Sequence, residues 1–437
     1  MSGLPCSGFQ AGVSTEAPVR VAAVASVTVA EPSGAGAVRW TGLIALAVAM
    51  GIGRFAFTPL LPLMQQDAGV SLVQGSWLAT ANYAGYLVGA LICVSSPPAP
   101  AHAVQWGMVS IALFTAGMGL TGELGPWLAL RFLAGAASAF VLVGVSAWAM
   151  PILARRHQAS RSGQVFAGVG AGICLAGLVG LVAGVTALGS RPTWISLGAI
   201  AAFLALALWR QLAKEDVQTT AMAGSQAAPL TWQAWIAALC YGAFGYGYII
   251  PATFLPALAR EVTGDPAVFG WVWPVFGAAA AVSTVLAARL PGLSSRRLWA
   301  HGQWVLALGV VAPLFAVNLA TLVFAALCVG GTFMVITMAG IQEARRLGGA
   351  RPARVIAVYT AAFASGQIAG SSMVGLSGGG LLLPGVLAAL ALAASSLALR
   401  LTARASGDPG RNSMRCRIHA IPDHAPVNDR SQSLIIK

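Results

Sequence analysis

For most of its length the chain alternates between apolar runs of about 20 residues and short polar connections. A helix of that length spans the hydrocarbon core of a bilayer. The pattern therefore predicts an all-α, polytopic membrane protein with twelve transmembrane helices. The predicted spans are residues 40–64, 74–94, 103–122, 126–150, 163–187, 192–210, 232–258, 267–289, 298–317, 319–341, 354–377 and 381–401.

Polar segments separate these runs into five regions, and the longest internal polar segment divides the helices into two groups of six. For the first region, residues 1–38, a signal peptide or a start codon assigned too far upstream are open alternatives to a disordered leader. The regions are a disordered cytoplasmic leader (1–38), an N-terminal six-helix half (39–210), a central cytoplasmic loop (211–231), a C-terminal six-helix half (232–402) and a disordered cytoplasmic tail (403–437).

Two sets of residues recur in the second half with the same spacing, and this predicts two parallel, pseudo-symmetric halves. In the first set, Arg54 maps onto Tyr248 at an offset of 194 residues. A basic cluster after the fourth predicted helix recurs after the tenth at an offset of 190. The sets are Gly51, Gly53, Pro62 and Trp77 with Gly245, Gly247, Pro256 and Trp271, and Arg155, Arg156 and Arg161 with Arg345, Arg346 and Arg351.

Composition and charge support the membrane interpretation. The chain is 57% hydrophobic and 8% charged, with a mean hydropathy of +0.79. The net charge of +13 comes from arginines distributed between apolar runs, which indicates topology rather than a nucleic-acid partner. Loops on one side carry twelve Lys and Arg residues and those on the other carry Arg191 and Arg260. We therefore predict a multi-pass membrane protein with both termini in the cytoplasm.

Chemistry-bearing clusters are sparse. The six Cys residues form no C-x-x-C pair, and the five His residues form no H-E-x-x-H motif. A membrane enzyme would need a buried cluster of catalytic groups. The sequence predicts no metal, no cofactor and no enzymatic activity.

Arg54 is the candidate functional residue. It lies inside the first apolar run, about 21 Å along a helix from Trp40. A charge at that depth marks a ligand site or a water-filled cavity by default. Since no Asp or Glu lies within a predicted span core, a bound anion is one source of counter-charge. Proton coupling and a structural hydrogen bond to backbone or tyrosine stay open.

Other polar and aromatic residues are candidates to line the same substrate site, although each alone fits core packing equally well. Three of them share one face of the second helix. The candidates are Asn82, Tyr83, Tyr86, Tyr246, Tyr248, Trp273, Tyr359 and Gln367. Small residues spaced by four, such as Gly168 and Gly172, indicate close helix packing or a sliding interface between halves.

Arg131 begins the pattern Arg131-x-x-x-Gly135-x-x-x-Ala139 in the fourth helix. It lies about one turn inside the membrane, where it could snorkel out towards Glu123 or take a gating or coupling role.

That pattern, with two parallel halves, resembles the major facilitator superfamily (MFS). The stretches 51–64 and 77–89 resemble its bacterial YbfB/YjiJ-type branch. Over roughly 39–402 the resemblance implies a secondary transporter of the bacterial inner membrane, but no particular substrate. The loop from Cys93 to His102 departs from the superfamily because it lacks the usual Asp-Arg pair.

The sequence therefore predicts a secondary active transporter that moves a small organic molecule by alternating access. An anion is the favoured substrate. A drug or metabolite efflux carrier of the same fold and a non-transporting receptor or scaffold are the alternatives. We expect a monomer in the lipid bilayer, with a coupling proton or ion as an open partner and no nucleic acid.

Overall fold

The computed structural model describes residues 35–96, 98–156, 161–213, 230–289, 294–349 and 352–405. These ranges are helical almost throughout and contain no β-strand. Most of the predicted leader, the middle of the central loop and nearly all of the predicted tail lie outside the described residues.

The first membrane helix is continuous but changes its spacing in the middle. It consists of α1 (Ala35–Leu46), a π-helical segment (Ala47–Phe55) and α2 (Phe57–Asp67). The other helices are α3 (Leu72–Ser95), α4 (Pro100–Leu120), α5 (Leu124–Arg155), α6 (Ser162–Val185), α7 (Ser190–Ala213), α8 (Trp232–Thr263), α9 (Pro266–Phe269), α10 (Val272–Ala287), α11 (Ser295–Phe315), α12 (Leu319–Gly348), α13 (Pro352–Leu376) and α14 (Leu382–Ala405).

Ten helices of the described chain are long and apolar enough to cross a membrane. In that count α1 to α2 form one helix, and α9 with α10 forms another. The helices α3 and α13 are also long, with 24 and 25 residues, but are not among the ten. The described part of the chain is therefore helical and suited to cross a membrane several times.

We call α1 to α7 the first bundle and α8 to α14 the second bundle. In the first bundle α3 packs on α5, α4 on α7, and α6 on α1 and the π-helical segment. In the second bundle α10 packs on α12, α11 on α14, and α13 on α8. The pairs α6 with α10 and α3 with α13 join the two bundles, and α2 adds a contact with α8.

Glycines allow the closest of these approaches. A Cβ at Gly85 would lie 1.8 Å from the carbonyl oxygen of Phe132, and one at Gly172 would lie 2.2 Å from that of Ala47. Both contacts are inside the first bundle. Contact between the bundles uses Gly170, whose Cβ would lie 2.3 Å from the nitrogen of Ala281. The face predicted from Gly168 and Gly172 therefore packs within a bundle, and a neighbouring face meets the other bundle.

Hydrogen bonds at the helix ends define two faces of the molecule. On the face that we call the Asp67 face, Asp67 accepts hydrogen bonds from the backbone N–H and the hydroxyl of Ser190, which joins the end of α2 to the start of α7. On the opposite side, which we call the Arg155 face because α5 ends there at Arg155, Arg39 donates to Gln164 over 3.0 Å. Side-chain caps at helix starts, such as the reciprocal pair of Ser71 and Gln74, satisfy the first backbone donors.

Candidate substrate site

The π-helical segment determines where Arg54 points. A π-spaced turn is wider than an α-turn and often occurs at functional sites. The two glycines of the segment fit because side chains there would collide: a Cβ at Gly51 would lie 2.2 Å from the backbone of Gly172, and one at Gly53 2.7 Å from Ser138 Oγ. The wide turn places the Arg54 side chain between the two bundles.

The Arg54 guanidinium is buried and bonded to the opposite bundle. Arg54 is 1% exposed to solvent. Its Nη2 donates to Oε1 of Gln367 on α13. Nε2 of Gln367 then donates to the hydroxyl of Tyr248 on α8 over 2.5 Å. One cation of the first bundle thus bonds a neutral amide of the second, and that amide in turn bonds a tyrosine hydroxyl.

Aromatic rings surround the guanidinium on the side of the first bundle. Its Cζ lies 3.9 Å from the ring centroid of Tyr86, 5.4 Å from Tyr83 and 5.6 Å from Phe55. Desolvated contacts of this kind contribute up to about 2 kcal/mol each. The site therefore combines one positive charge with apolar walls.

Two phenylalanines complete the wall on the second bundle. The Tyr248 ring lies parallel to Phe333, with centroids 5.6 Å apart, and to Phe363, with centroids 5.5 Å apart. Sequence reasoning missed both residues because a phenylalanine in an apolar helix carries no signal that separates a site wall from the core.

Part of the Arg54 guanidinium has no partner. Its Nε and Nη1 find no hydrogen-bond acceptor among the residues that the structure describes. Ion pairs with a described carboxylate occur elsewhere, between Glu343 and both Arg296 and Arg346. Unpaired donors on a buried cation are costly, and they are suited to hold the oxygens of an anion.

Arg131 lies behind Arg54 and binds backbone rather than an acid. Its residue is 2% exposed. Nη1 donates to the carbonyl oxygen of Gly53 over 3.3 Å, and Nη2 donates to that of Arg54 over 3.0 Å. The expectation that Arg131 snorkels towards Glu123 is therefore wrong, because these carbonyls draw the guanidinium inwards while Glu123 is exposed before α5.

A family model described as "Uncharacterised MFS-type transporter YbfB" matches residues 46–402. The chain belongs to this family. The match confirms the resemblance seen in the first two helices, and it includes every residue of the site described above. A search of the curated proteins finds none that matches the chain. As an MFS-type transporter, the protein is embedded in a membrane and acts on a small molecule.

Five of the residues predicted for the transporter's substrate site meet as expected: Arg54, Tyr83, Tyr86, Tyr248 and Gln367. Asn82 is buried beside them, but its amide nitrogen donates to backbone, 2.9 Å from the carbonyl oxygen of Arg131 and 3.4 Å from that of Gly53.

Three predicted residues lie apart from Arg54. The hydroxyl of Tyr246 donates to the carbonyl oxygen of Pro384 over 3.4 Å, so this ring faces α14. Tyr359 packs on Tyr241, with centroids 5.5 Å apart, and joins the wall of the site through Tyr241 and Phe363. Trp273 stacks on Phe276 and lies one ring further out, behind Phe55. Helical spacing placed these residues at the right depth but could not give the direction of each side chain.

Polar contacts between the bundles close the transporter from the level of Arg54 to the Asp67 face. The hydroxyls of Tyr83 and Thr253 are 3.0 Å apart. Further towards that face, Ser371 donates to the carbonyl oxygen of Ser76 over 2.9 Å, and Arg260 donates to Gln65 over 3.4 Å. These contacts hold the two bundles together on that side of Arg54.

Arg54 lines neither of two cavities found in the described residues. One of about 10 Å³ lies between Pro59, Gly184 and Trp273. The other, of about 400 Å³, lies between α4 and α5 and is lined by residues such as Trp106 and Phe140. With the residue 1% exposed, the Arg54 side chain is buried from solvent in this structure.

A buried ionic cluster holds α11 to α12 at the Arg155 face. Glu343, expected at a helix edge or in a loop, lies within α12 and is 2% exposed. Its Oε1 accepts from Arg296 Nε over 2.8 Å and from Arg346 Nη2 over 2.7 Å. Because both partners belong to the second bundle, this carboxylate does not offset the charge of Arg54.

Proposed function

We propose that the protein is a secondary active transporter that moves a small organic anion across the bacterial inner membrane by alternating access. The observation that carries this proposal is Arg54: a buried guanidinium between the bundles, with two nitrogens unpaired among the described residues. Access to this group from either side requires the bundles to move relative to each other.

Charge indicates the class of substrate. A buried cation without a carboxylate partner gains most from a ligand that brings a negative charge and oxygen acceptors. Arg131 supplies less to such a ligand, because both of its terminal nitrogens already bind carbonyl oxygens. One available cation therefore favours a single negative charge. The rings of Tyr86, Tyr83 and Phe55 favour an apolar body beside it.

We further propose twelve transmembrane helices in two related halves. Two of them, α3 and α13, are added to the ten helices counted above. The packing of each bundle supports a duplication: α3 on α5 corresponds to α10 on α12, and α4 on α7 to α11 on α14. The excess of arginine in the loops at the Arg155 face supports a cytoplasmic location for that face and for both termini.

The experiment is transport by purified protein in liposomes, preceded by a thermal-shift screen of monocarboxylates, dicarboxylates, sugars and cationic drugs. A ligand of the folded state raises the melting temperature, with about 2.7 kcal/mol of stabilisation at a hundred times its Kd. We expect monocarboxylates to stabilise the protein. Arg54→Gln should remove both this stabilisation and transport, and Arg54→Lys should retain a weakened response.

Arg260→Gln is the matched control, because Arg260 also donates to a glutamine of the other bundle. It should bind the same monocarboxylate as the wild type does. Equal uptake by Arg54→Gln and the wild type would exclude Arg54 from recognition. Binding without counterflow would instead assign the protein to the non-transporting receptors.

A further inference from the structure

The junction between the π-helical segment and α2 has an unusual set of backbone partners. In π-helical spacing, the Arg54 carbonyl oxygen would accept a hydrogen bond from the backbone N–H of residue 59. Residue 59 is a proline, which has no N–H. Arg131 Nη2 donates to this oxygen, and Nη1 donates to that of Gly53. A side chain of α5 thus supplies donors to the carbonyl edge of the turn that carries Arg54.

Neighbouring residues fix the position of Arg131 itself. Asn82 donates to the backbone oxygen of Arg131 over 2.9 Å and is within 3.4 Å of that of Gly53. The approach of α3 to α5 depends on Gly135, where a Cβ would lie 2.0 Å from the Asn82 carbonyl oxygen. The guanidinium of Arg131 lies 5.0 Å from the Phe57 ring centroid. These contacts leave it little freedom to turn towards a ligand.

We propose that Arg131 is a positioning residue for anion recognition. Its two hydrogen bonds hold the wide turn in place and thereby set the direction of the Arg54 side chain. This rests on the proposed function, since the anion is the ligand of Arg54. Arg131 acts through the backbone of Gly53 and Arg54, neither touching the anion nor carrying a proton.

The test compares Arg131→Met and Arg131→Lys with Arg155→Met, which removes an exposed cation from the end of the same helix. The probe is benzoate counterflow in liposomes, since benzoate has one carboxylate on a flat ring. Arg131→Met should raise the KM about tenfold, as expected when a charged hydrogen bond is lost. The maximal rate per folded protein and the shape of the pH profile should be retained. Arg131→Lys should fall between Arg131→Met and the wild type, and Arg155→Met should match the wild type.

A second measurement needs no ligand. Hydrogen exchange of the backbone amides in 52–58 should be faster in Arg131→Met than in Arg155→Met, with Arg131→Lys in between. If Arg131→Met does not accumulate, Asn82→Ala should show the same two changes at smaller size. A benzoate response absent from the wild type would count against the proposed function, while the exchange measurement would still decide the role of Arg131.

Three results would overturn the proposal. One is a loss of maximal rate with an unchanged KM, which indicates a merely structural role. Another is a changed pH profile, which indicates a proton-carrying role. The third is unchanged exchange in 52–58.

Discussion

Gln367→Glu separates the stability of the site from its function. In the wild type the Gln367 amide accepts from Arg54 and donates to Tyr248, and the residue is 0% exposed. A carboxylate of the same shape can still accept from Arg54, and the Tyr248 hydroxyl can turn to donate to it. The substitution therefore supplies within the protein the negative charge that we assign to the substrate.

The expected change in stability is small. Two opposite charges about 4 Å apart attract by about 4 kcal/mol at an effective dielectric constant of 20. Burying the carboxylate costs several kcal/mol. We therefore expect Gln367→Glu to lie within about 2 kcal/mol of the wild type in unfolding free energy, on the more stable side. An anion must now displace the tethered carboxylate, so its affinity should fall at least about a hundredfold.

Gln303→Glu is the matched control for burial of a carboxylate. Gln303 is also 0% exposed, and it bonds the Cys240 carbonyl and the Ser395 hydroxyl rather than a guanidinium. Its replacement should cost about 3–5 kcal/mol, the usual effect of an uncompensated buried charge. The assay is thermal unfolding in detergent with and without benzoate. The reasoning fails if Gln367→Glu binds benzoate as well as the wild type, or is destabilised as strongly as Gln303→Glu.

Two further predictions concern packing and closure. Gly85→Ala should lower the unfolding free energy by about 1–3 kcal/mol or more, because the new Cβ meets a carbonyl oxygen. Gly331→Ala is the control: its Cβ meets nothing within 4 Å, so thermal unfolding should show no change or a gain of about 0.5–1 kcal/mol. Equal effects of the two substitutions would contradict the close approach of α3 and α5. The double variant Ser76→Cys with Gly375→Cys should form a disulfide, because a Cβ at Gly375 would lie 2.5 Å from Ser76 Oγ. Oxidation should stop uptake in liposomes and reduction restore it, whereas uptake with the disulfide intact would mean that the Asp67 face need not open.

The sequence predicts the helices well, because apolar runs of the right length have few alternatives in a membrane. Each predicted span falls largely on helical residues of the described chain, and ten helices there are long and apolar enough to cross a membrane. The largest difference is in α12, which continues to Gly348, and smaller ones are in α8, which continues to Thr263, and in α5, which continues to Arg155. Polar residues near those ends made the helices appear shorter than they are.

The site was predictable as far as charge and depth determine it. A lone Arg54 at mid-span indicated the candidate site, and Tyr248, its predicted counterpart in the second half, bonds the same Gln367 as Arg54 does. The direction of each side chain was not predictable, as Tyr246 demonstrates: it lies two residues from Tyr248 yet bonds α14. Nor did the sequence indicate the π-helical segment, which depends on how closely α6 approaches Gly51.

The partner that holds Arg54 is an amide, and an amide neither gains nor loses a proton in the physiological range. A carboxylate in the same place would release the guanidinium in acid. The hydrogen bond between Gln367 and Arg54 should therefore be equally strong at an acidic exterior pH and at the neutral pH of the cytoplasm. A weak acid arriving at this centre would then be selected according to its own degree of ionisation.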